Sequence, residues 1–231
     1  MELSGLVDSR REHAVAAEVG AGGGLRLYFH DGDGFRTEEL PFLPFVLLSG
    51  RGQLAVPCEV AELEGGLPLK FLAEFGGEAE YSSALAELRA SKRPFLCWRD
   101  LVRQALIRCR VRLFSGLAFS ELRRMALAVE TDAEGAIAAL EAADGSTSRR
   151  WSSAGADDEP RMLEEFFAFV AERDPDTVEG FGLYSAVLPA LEKACKRHKI
   201  GFALGRNGAA AKRQAGSFTL PEGVEIGRAH V

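Results

Sequence analysis

Short apolar runs separated by glycine dominate the first fifty residues of the chain. Glycine-containing segments at 20–24 and 31–34 stand between runs that are rich in apolar residues. The predicted strands cover 14–19, 25–30, 35–40 and 41–48. Runs of this length are typical of β-hairpins, and Pro41 and Pro44 keep the start of the last strand out of a central ladder. The glycines lack the lysine and the spacing of a phosphate-binding loop, so we expect them to form turns.

Apolar residues at helical spacing predict four helices further along the chain. The clearest helix of the first half covers 97–114, where one apolar stripe follows the i, i+3, i+4, i+7 pattern. Its members are Trp98, Leu101, Val102, Ala105, Leu106 and Cys109. The other predicted helices cover 82–89, 161–173 and 185–196. We expect Asp157 or Asp158 to cap the third helix and Ser185 to cap the fourth.

The stretch at 121–131 is predicted to form the central strand of a sheet. It contains a basic pair, continues through the uncharged residues 125–129 and ends at Glu130 and Thr131. An uninterrupted uncharged run favours a strand that is buried on both faces. Return strands and helices follow it, which predicts a mixed α/β layer sandwich. A carboxylate at the end of such a strand lies where open α/β sheets place their chemistry; a solvated glutamate on an edge strand is the alternative.

The composition is that of an ordinary globular protein. The 231 residues are 47% hydrophobic and 27% charged. No apolar run is long enough to span a bilayer and no signal pattern opens the chain, so we expect a cytoplasmic protein without a membrane partner. The four cysteines form no C-x-x-C pair and the four histidines are scattered, which argues against a disulfide framework and a histidine-bound metal.

The distribution of charge is more informative than its sum. The net charge of −6 argues against a surface that binds nucleic acid over its whole extent. The cations nevertheless concentrate in two parts of the chain, at 99–124 and at 193–213. Clustered cations are what phosphate contact requires, although solvated helix faces have the same composition.

Several short motifs are informative as an ordered set. The first group leads into Ala128-Val129-Glu130-Thr131 and contains Gln104-Ala105-Leu106, Phe114-Ser115-Gly116-Leu117 and Leu122-Arg123-Arg124-Met125. The second consists of Glu172-Arg173-Asp174-Pro175-Asp176, Gly180, Leu183, Leu188-Pro189 and Leu191. The third consists of Leu204-Gly205-Arg206-Asn207-Gly208 and Gly227-Arg228-Ala229-His230-Val231. In this order they resemble the N-terminal and 3′–5′ exonuclease regions of family B DNA polymerases, especially the bacterial branch.

The resemblance implies a two-metal exonuclease, but the chain departs from that pattern. The family's first motif has the form D-x-E-T; its aspartate position is Ala128 here, and Glu130 is left as a vestigial catalytic residue. In the second motif Val187 occupies the aspartate position and Gly182 the asparagine position. Alanine and valine cannot ligate a metal, so we expect no metal site and no cofactor. Mg²⁺ or Mn²⁺ would bind only if Glu130 acted with other carboxylates, such as Asp132.

The family also implies the domain organisation and the partners. We expect an α/β protein with a β-rich, α+β N-terminal domain at 1–118 and a truncated RNase H-like domain at 119–231, with a mixed sheet and flanking helices. The predicted function is that of the non-catalytic, DNA-binding portion of a polymerase in DNA replication or repair. Its partners would be template or primer DNA and a downstream polymerase domain. The predicted phosphate contacts are Arg103, Arg110, Arg123, Arg124, Arg206, Lys212 and Arg213.

Two other functions are compatible with the sequence. One is an active metal-dependent 3′–5′ exonuclease that uses Glu130 with non-standard carboxylates. The other is a protein-interaction module without affinity for DNA. The end of the chain also has two interpretations: residues 227–231 match the family segment before its next motif, whereas 226–231 match the translation of a common sequencing adapter. Both interpretations predict a fragment of a longer protein.

Overall fold

The computed structural model describes most of the chain between residues 11 and 206. The described residues are 11–20, 23–31, 34–52, 54–66, 68–98, 100–145, 147–153, 155 and 158–206, with the backbone of three short strands further on. The chain divides into two compact units, Met1–Gly116 and Leu117–Val231. Within the described part, no helix is both long enough and apolar enough to cross a membrane.

The first unit contains two antiparallel sheets. One has the order β1-β2-β3 and is formed by Ala14–Val19, Leu25–Asp31 and Gly34–Leu40. The other has the order β5-β6-β4-β7 and is formed by Phe45–Leu48 (β4), Glu59–Glu62 (β5), Phe71–Glu74 (β6) and Phe95–Leu96 (β7). The glycine-bounded hairpins are therefore confirmed, and β4 begins only after Pro44, as the prolines predict.

Two helices complete the first unit, and both differ in length from the prediction. Helix α1 covers Glu78–Ser91 and α2 covers Leu101–Cys109. The helix predicted at 97–114 is wrong at both ends. Asp100 caps α2 by accepting a 2.9 Å hydrogen bond from the backbone N–H of Val102, and Arg110 ends it in the left-handed conformation.

A mixed four-stranded sheet forms the centre of the second unit. Its order is β10-β9-β8-β11, with β8 at Arg124–Thr131, β9 at Ile137–Asp144, β10 at Thr147–Ser152 and β11 at Thr177–Glu179. Strand β11 runs parallel to β8, whereas β8, β9 and β10 are antiparallel neighbours. The predicted α/β class, with a β-rich part before an α/β part, is confirmed.

Helices cover one face of this sheet. Helix α3 covers Glu159–Arg173, a π-helical turn covers Leu183–Val187 and α4 covers Leu188–His198. The predicted helix start at Ser185 is wrong, because Ser185 lies inside the π-helical turn. Pro189 lies in the first turn of α4, where proline is tolerated. Beyond residue 206, Lys212–Gln214, Ser217–Thr219 and Glu225–Ile226 form the antiparallel strands β12, β13 and β14.

The core of the second unit lies between the sheet and these helices. Met125 and Leu127 of β8 are buried there against Phe166, Leu188 and other apolar side chains. The prediction that β8 is buried on both faces is wrong. Side chains alternate along a strand, so the residues between Met125, Leu127 and Val129 point to the opposite face, which is exposed.

Candidate functional site

The exposed face of the second unit's sheet carries two of the four predicted motif positions. Ala128 and Glu130 of β8 lie there, together with Ala126. Ala128 pairs with Glu141 of β9, and Arg150 of β10 pairs with the same glutamate. We call this surface, with Ala126, Ala128, Glu130, Glu141 and Arg150, the exposed sheet face.

The carboxylate of Glu130 is engaged by an arginine two strands away. Arg150 Nη2 donates a 2.8 Å hydrogen bond to Glu130 Oε2, and Arg150 Nη1 lies 3.5 Å from Glu141 Oε2. The hydrogen bond and the charge of Glu130 raise the pKa of Arg150 above its ordinary value. Because the side chain of Glu130 is 62% exposed, this pair is screened by water. Arg150 nevertheless gives the Glu130 carboxylate a positively charged partner within the protein.

The third motif position, Val187, lies on the other side of the sheet. It ends the π-helical turn, in which its backbone N–H donates a 3.2 Å hydrogen bond to the carbonyl of Gly182. The Val187 side chain is only 4% exposed and belongs to the apolar core with Leu127 and Leu188. The structure thus places the π-helical turn beside β8 but does not bring the side chain of Val187 to the exposed sheet face with Ala128 and Glu130.

Asp132 does not complete an acidic pair with Glu130. Its backbone N–H and its Oδ1 atom both bond to Ala136, at 2.9 and 2.7 Å, and so close the turn between β8 and β9. A register shift after Glu130 also interrupts the alternation that would align the two carboxylates. Among the described residues, no group of three or more histidine, cysteine, aspartate or glutamate side chains could hold a metal ion. These residues do not fit a two-metal centre.

The basic residues predicted in the first unit differ in their surroundings. Arg103 is exposed on α2. Arg110 is half-buried at the end of α2, where its backbone N–H bonds to the carbonyls of Ile107 and Leu106. Of these two arginines, Arg103 offers its guanidinium to solvent more fully.

Two predicted arginines of the second unit line a groove at the start of β8. The groove has a volume of about 600 Å³ and includes Arg123, Arg124, Phe119 and Glu179. Arg124 lies over the ring of Phe119, 4.1 Å from its centre, and its Nη2 atom is 2.7 Å from Glu179 Oε1. The aromatic ring and the carboxylate hold the guanidinium of Arg124 in one place, and the carboxylate balances its charge.

Arg206 is held more tightly than Arg124. Its side chain is 8% exposed; its Nε donates to Asp174 Oδ1 at 2.6 Å and its Nη2 to Asp176 Oδ1 at 2.8 Å. Two carboxylates and near-complete burial leave Arg206 little to offer a phosphate. Lys212 and Arg213 lie on β12, but their side chains fall outside the described residues.

Phe181 is the most exposed large apolar residue of the described chain, and the sequence did not single it out. It lies fully exposed between β11 and the π-helical turn. Gly180, directly before it, touches β8 so closely that a Cβ atom would come within 2.3 Å of the Leu127 carbonyl oxygen. Gly182, directly after it, has φ +63°, a conformation that favours glycine. Both positions that flank Phe181 thus require glycine, one because of its close contact with β8 and the other because of its backbone conformation.

Sequence reasoning also missed the partners of Glu130 and Arg206. Arg150 could have been found only from the register of the β9–β10 hairpin, which places it opposite Glu141. Asp174 and Asp176 belong to the second motif group, and an Asp-Pro-Asp sequence also indicates the end of a helix. Both carboxylates also accept hydrogen bonds from Arg206, which lies 32 positions from Asp174 and 30 positions from Asp176.

One comparison with solved structures is informative about the fold. A family B DNA polymerase from the hyperthermophilic archaeon Pyrobaculum calidifontis superposes with a TM-score of 0.62 at 18% sequence identity. The match covers 89% of this chain and 34% of the polymerase chain. The chain shares its fold with part of a family B DNA polymerase. No protein-family model matches the sequence, and no curated protein matches it.

This likeness confirms the sequence resemblance at the level of the fold alone. The chain corresponds to about a third of the polymerase that it matches. At 18% identity a shared scaffold does not carry a shared activity, because sites change faster than folds. The predicted bacterial branch, the exonuclease assignment and the DNA contacts stay predictions.

Proposed function

We propose that this chain is the N-terminal and exonuclease-like part of a family B DNA polymerase in DNA replication or repair, and that its second unit contacts DNA without hydrolysing it. The shared fold supports the polymerase relationship. The order of the sequence motifs supports the exonuclease-like assignment of the second unit. The polymerase domain itself would lie in the remainder of the parent protein and would be the chain's main protein partner.

The observation that carries the non-catalytic role is the pairing of Glu130 with Arg150. Phosphodiester hydrolysis by two metals needs carboxylate oxygens that face both ions. Here Glu130 bonds to Arg150 at 2.8 Å, Ala128 has no oxygen in its side chain, and Val187 is buried in the core. A cation would therefore have to displace Arg150 and would gain at most the carboxylates of Glu130 and Glu141, too few to hold two metal ions.

A nuclease assay tests this role directly. A single-stranded oligonucleotide with a 3′ label is incubated with the full chain and with Mg²⁺ or Mn²⁺. We expect no release of labelled nucleotides by the wild-type chain. Glu130→Ala and Arg150→Ala serve as matched variants, because each removes one partner of the exposed ion pair. Nucleotide release that Glu130→Ala abolishes would overturn the proposal in favour of an active exonuclease.

The proposed DNA contacts are phosphate contacts and hence independent of base sequence. Arg103 in the first unit is a candidate because its side chain is exposed. In the second unit, Arg123 and Arg124 line the groove beside Phe119. Arg206 is a weaker candidate because Asp174 and Asp176 hold its guanidinium.

Binding of single-stranded DNA at several salt concentrations tests the nucleic-acid role. We expect affinity to fall as salt rises, since cations that contact phosphates release counterions. Arg103→Ala should reduce the steepness of this dependence, and Arg161→Ala, which removes an exposed arginine paired with Glu165 on α3, should not. Arg124 and Arg206 are paired with carboxylates of the protein, which makes them less available to phosphates. This pairing favours a second candidate function, that of a protein-interaction module. Absence of DNA binding even at low salt would support that module instead.

A further inference from the structure

The surroundings of Phe181 differ from those of the other strongly exposed aromatic residue in the second unit. Phe119 is 66% exposed, but the guanidinium of Arg124 lies over its ring at 4.1 Å. No ring or guanidinium among the described residues stacks on Phe181. Both faces of the Phe181 ring are thus open to solvent, which is an unfavourable state for an aromatic side chain.

The loop that carries Phe181 is fixed by its neighbours. Gly180 cannot be replaced without a clash against the Leu127 carbonyl, and it directly follows Glu179, which pairs with Ala126 of β8. Gly182 then turns the chain into the π-helical segment. A residue presented by such a loop loses little backbone freedom when it binds a ligand.

The isolation of Phe181 indicates what kind of partner it suits. A stable protein interface buries about 800 Å² on each partner around a cluster of anchor residues. Phe181 and Phe119 are the large apolar residues that the described part of the second unit exposes strongly, and Arg124 already covers Phe119. Beside β11, the exposed strand β8 presents the small side chains of Ala126 and Ala128. One uncovered ring without an apolar surround fits a flat ligand of similar size better than a protein surface.

We propose that Phe181 is a stacking platform for one base of a single-stranded nucleic acid. The inference rests on the proposed nucleic-acid role and adds a base contact to its phosphate contacts. Stacking on an aromatic ring is tolerant of base identity, because every base has a π face. It requires an exposed ring on an ordered backbone, and Phe181 presents one directly after β11, where Gly180 packs against the backbone of β8.

The test compares two oligonucleotides of equal length and charge. One carries normal bases, and the other carries abasic sites along its whole length. Their affinities for the full wild-type chain are compared with those for Phe181→Ala and Phe181→Trp, and for Leu43→Ala, which removes an exposed apolar side chain of the first unit. Because Phe181 is fully exposed, its removal leaves no cavity in the fold. Phe181→Trp preserves a flat ring and is the conservative variant.

The expected result is specific to the base-bearing strand. Phe181→Ala should weaken its binding by roughly 5- to 150-fold, which is the alanine-substitution effect of one stacked base, and should leave the abasic strand unaffected. Phe181→Trp should restore the affinity, and Leu43→Ala should change neither strand. Equal weakening of both strands, or no change in either, would overturn the stacking role and point to a protein partner. In that outcome salt-dependent binding by the wild-type chain would still support the proposed function, whereas no binding at low salt would overturn both proposals.

Discussion

Arg206 and Asp176 form a nearly buried ion pair that joins the end of α3 to the segment after α4. Arg206 Nη2 lies 2.8 Å from Asp176 Oδ1, and the backbone N–H of Arg123 donates to the other oxygen, Oδ2, also at 2.8 Å. The carboxylate of Asp176 thus bonds both to the start of β8 and to the segment that follows α4. A pair of this kind is costly to disrupt from one side, because the remaining charge stays buried.

Removal of Asp176 should therefore be strongly destabilising. We expect Asp176→Ala to lower the free energy of unfolding by ~3–5 kcal/mol, since it leaves Arg206 without one of its two carboxylates. Urea unfolding followed by circular dichroism measures the change. Glu165→Ala is the matched control: Glu165 pairs with exposed Arg161, and its loss should change stability by less than ~1 kcal/mol. Similar losses for both variants would contradict the buried role of Asp176.

We expect Gln104 to contribute to the stability of the first unit, whereas its neighbour on α2, Arg103, should not. Its Oε1 accepts from the backbone N–H of Phe45 at 2.9 Å, and its Nε2 donates to Tyr81 Oη and to the Trp98 carbonyl, both at 2.7 Å. Gln104→Leu leaves the Phe45 N–H buried without its partner, so we expect a loss of ~1–3 kcal/mol in unfolding free energy.

Arg103→Ala, one position earlier on α2, provides the comparison for Gln104→Leu. Arg103 is exposed, and its replacement should change the unfolding free energy by no more than ~0.5 kcal/mol. Thermal or urea unfolding of the two variants separates them. Equal stability of Gln104→Leu and Arg103→Ala would show that the hydrogen bonds of Gln104 are dispensable.

The buried carboxylate of Glu159 predicts a loss of stability in acid. Burial alone would raise the pKa of Glu159, but the Ile137 N–H, the hydrogen bond to His198 and the charge of Arg197 lower it below its ordinary value. A carboxyl whose pKa is lower in the folded state stabilises the protein above its unfolded-state pKa, and this stabilisation disappears as pH falls through the folded-state pKa. Acidification below the ordinary pKa of glutamate should therefore destabilise the second unit.

Glu159→Gln tests the origin of this acid sensitivity. The variant should be less stable than the wild type near neutral pH and should lose less stability on acidification, because no carboxylate remains to be protonated at position 159. Glu164→Gln on the exposed side of α3 should keep the wild-type pH dependence. Parallel pH profiles for wild type and Glu159→Gln would assign the sensitivity to another group.

Aspartate at the two predicted motif positions should destabilise the fold to very different extents. Ala128→Asp places a carboxylate on the exposed sheet face opposite Glu141, where we expect a loss of at most ~1 kcal/mol from repulsion. Val187→Asp places one in the apolar core and should cost at least ~3 kcal/mol. Urea unfolding of each variant measures the difference. Equal tolerance of both changes would show that Val187 does not lie in the core.

The sequence predicted local structure well where one pattern had one physical cause. Glycine-bounded runs became hairpins, and the stripe of α3 became the buried face that includes Leu163 and Phe166. The burial of β8 was misjudged because alanine counts as apolar in any pattern yet is small enough to lie in water. Ala126 and Ala128 therefore made an alternating strand look like a fully buried one.

The candidate site was harder to predict because its decisive contacts are distant in sequence. Glu130 and Arg150 are 20 positions apart, and their hydrogen bond depends on the pairing of three strands. The cations at 99–124 and 193–213 suggested a basic surface, but the carboxylates that hold Arg124 and Arg206 lie 55 and 30 positions away. Composition and periodicity carry no information about such pairs.

Strand β10 is the outer strand of its sheet in the described part of the chain. Its charged side chains bear on whether a strand from another copy of the molecule can pair with it. Arg149 and Arg150 are paired with Glu165 and Glu130, respectively, beside a backbone edge that another strand could extend. An incoming strand would have to bring its own side chains against these guanidinium groups. Adjacent positive charges on an outer strand discourage such recruitment, so the ion pair that occupies Glu130 also protects the sheet against aggregation.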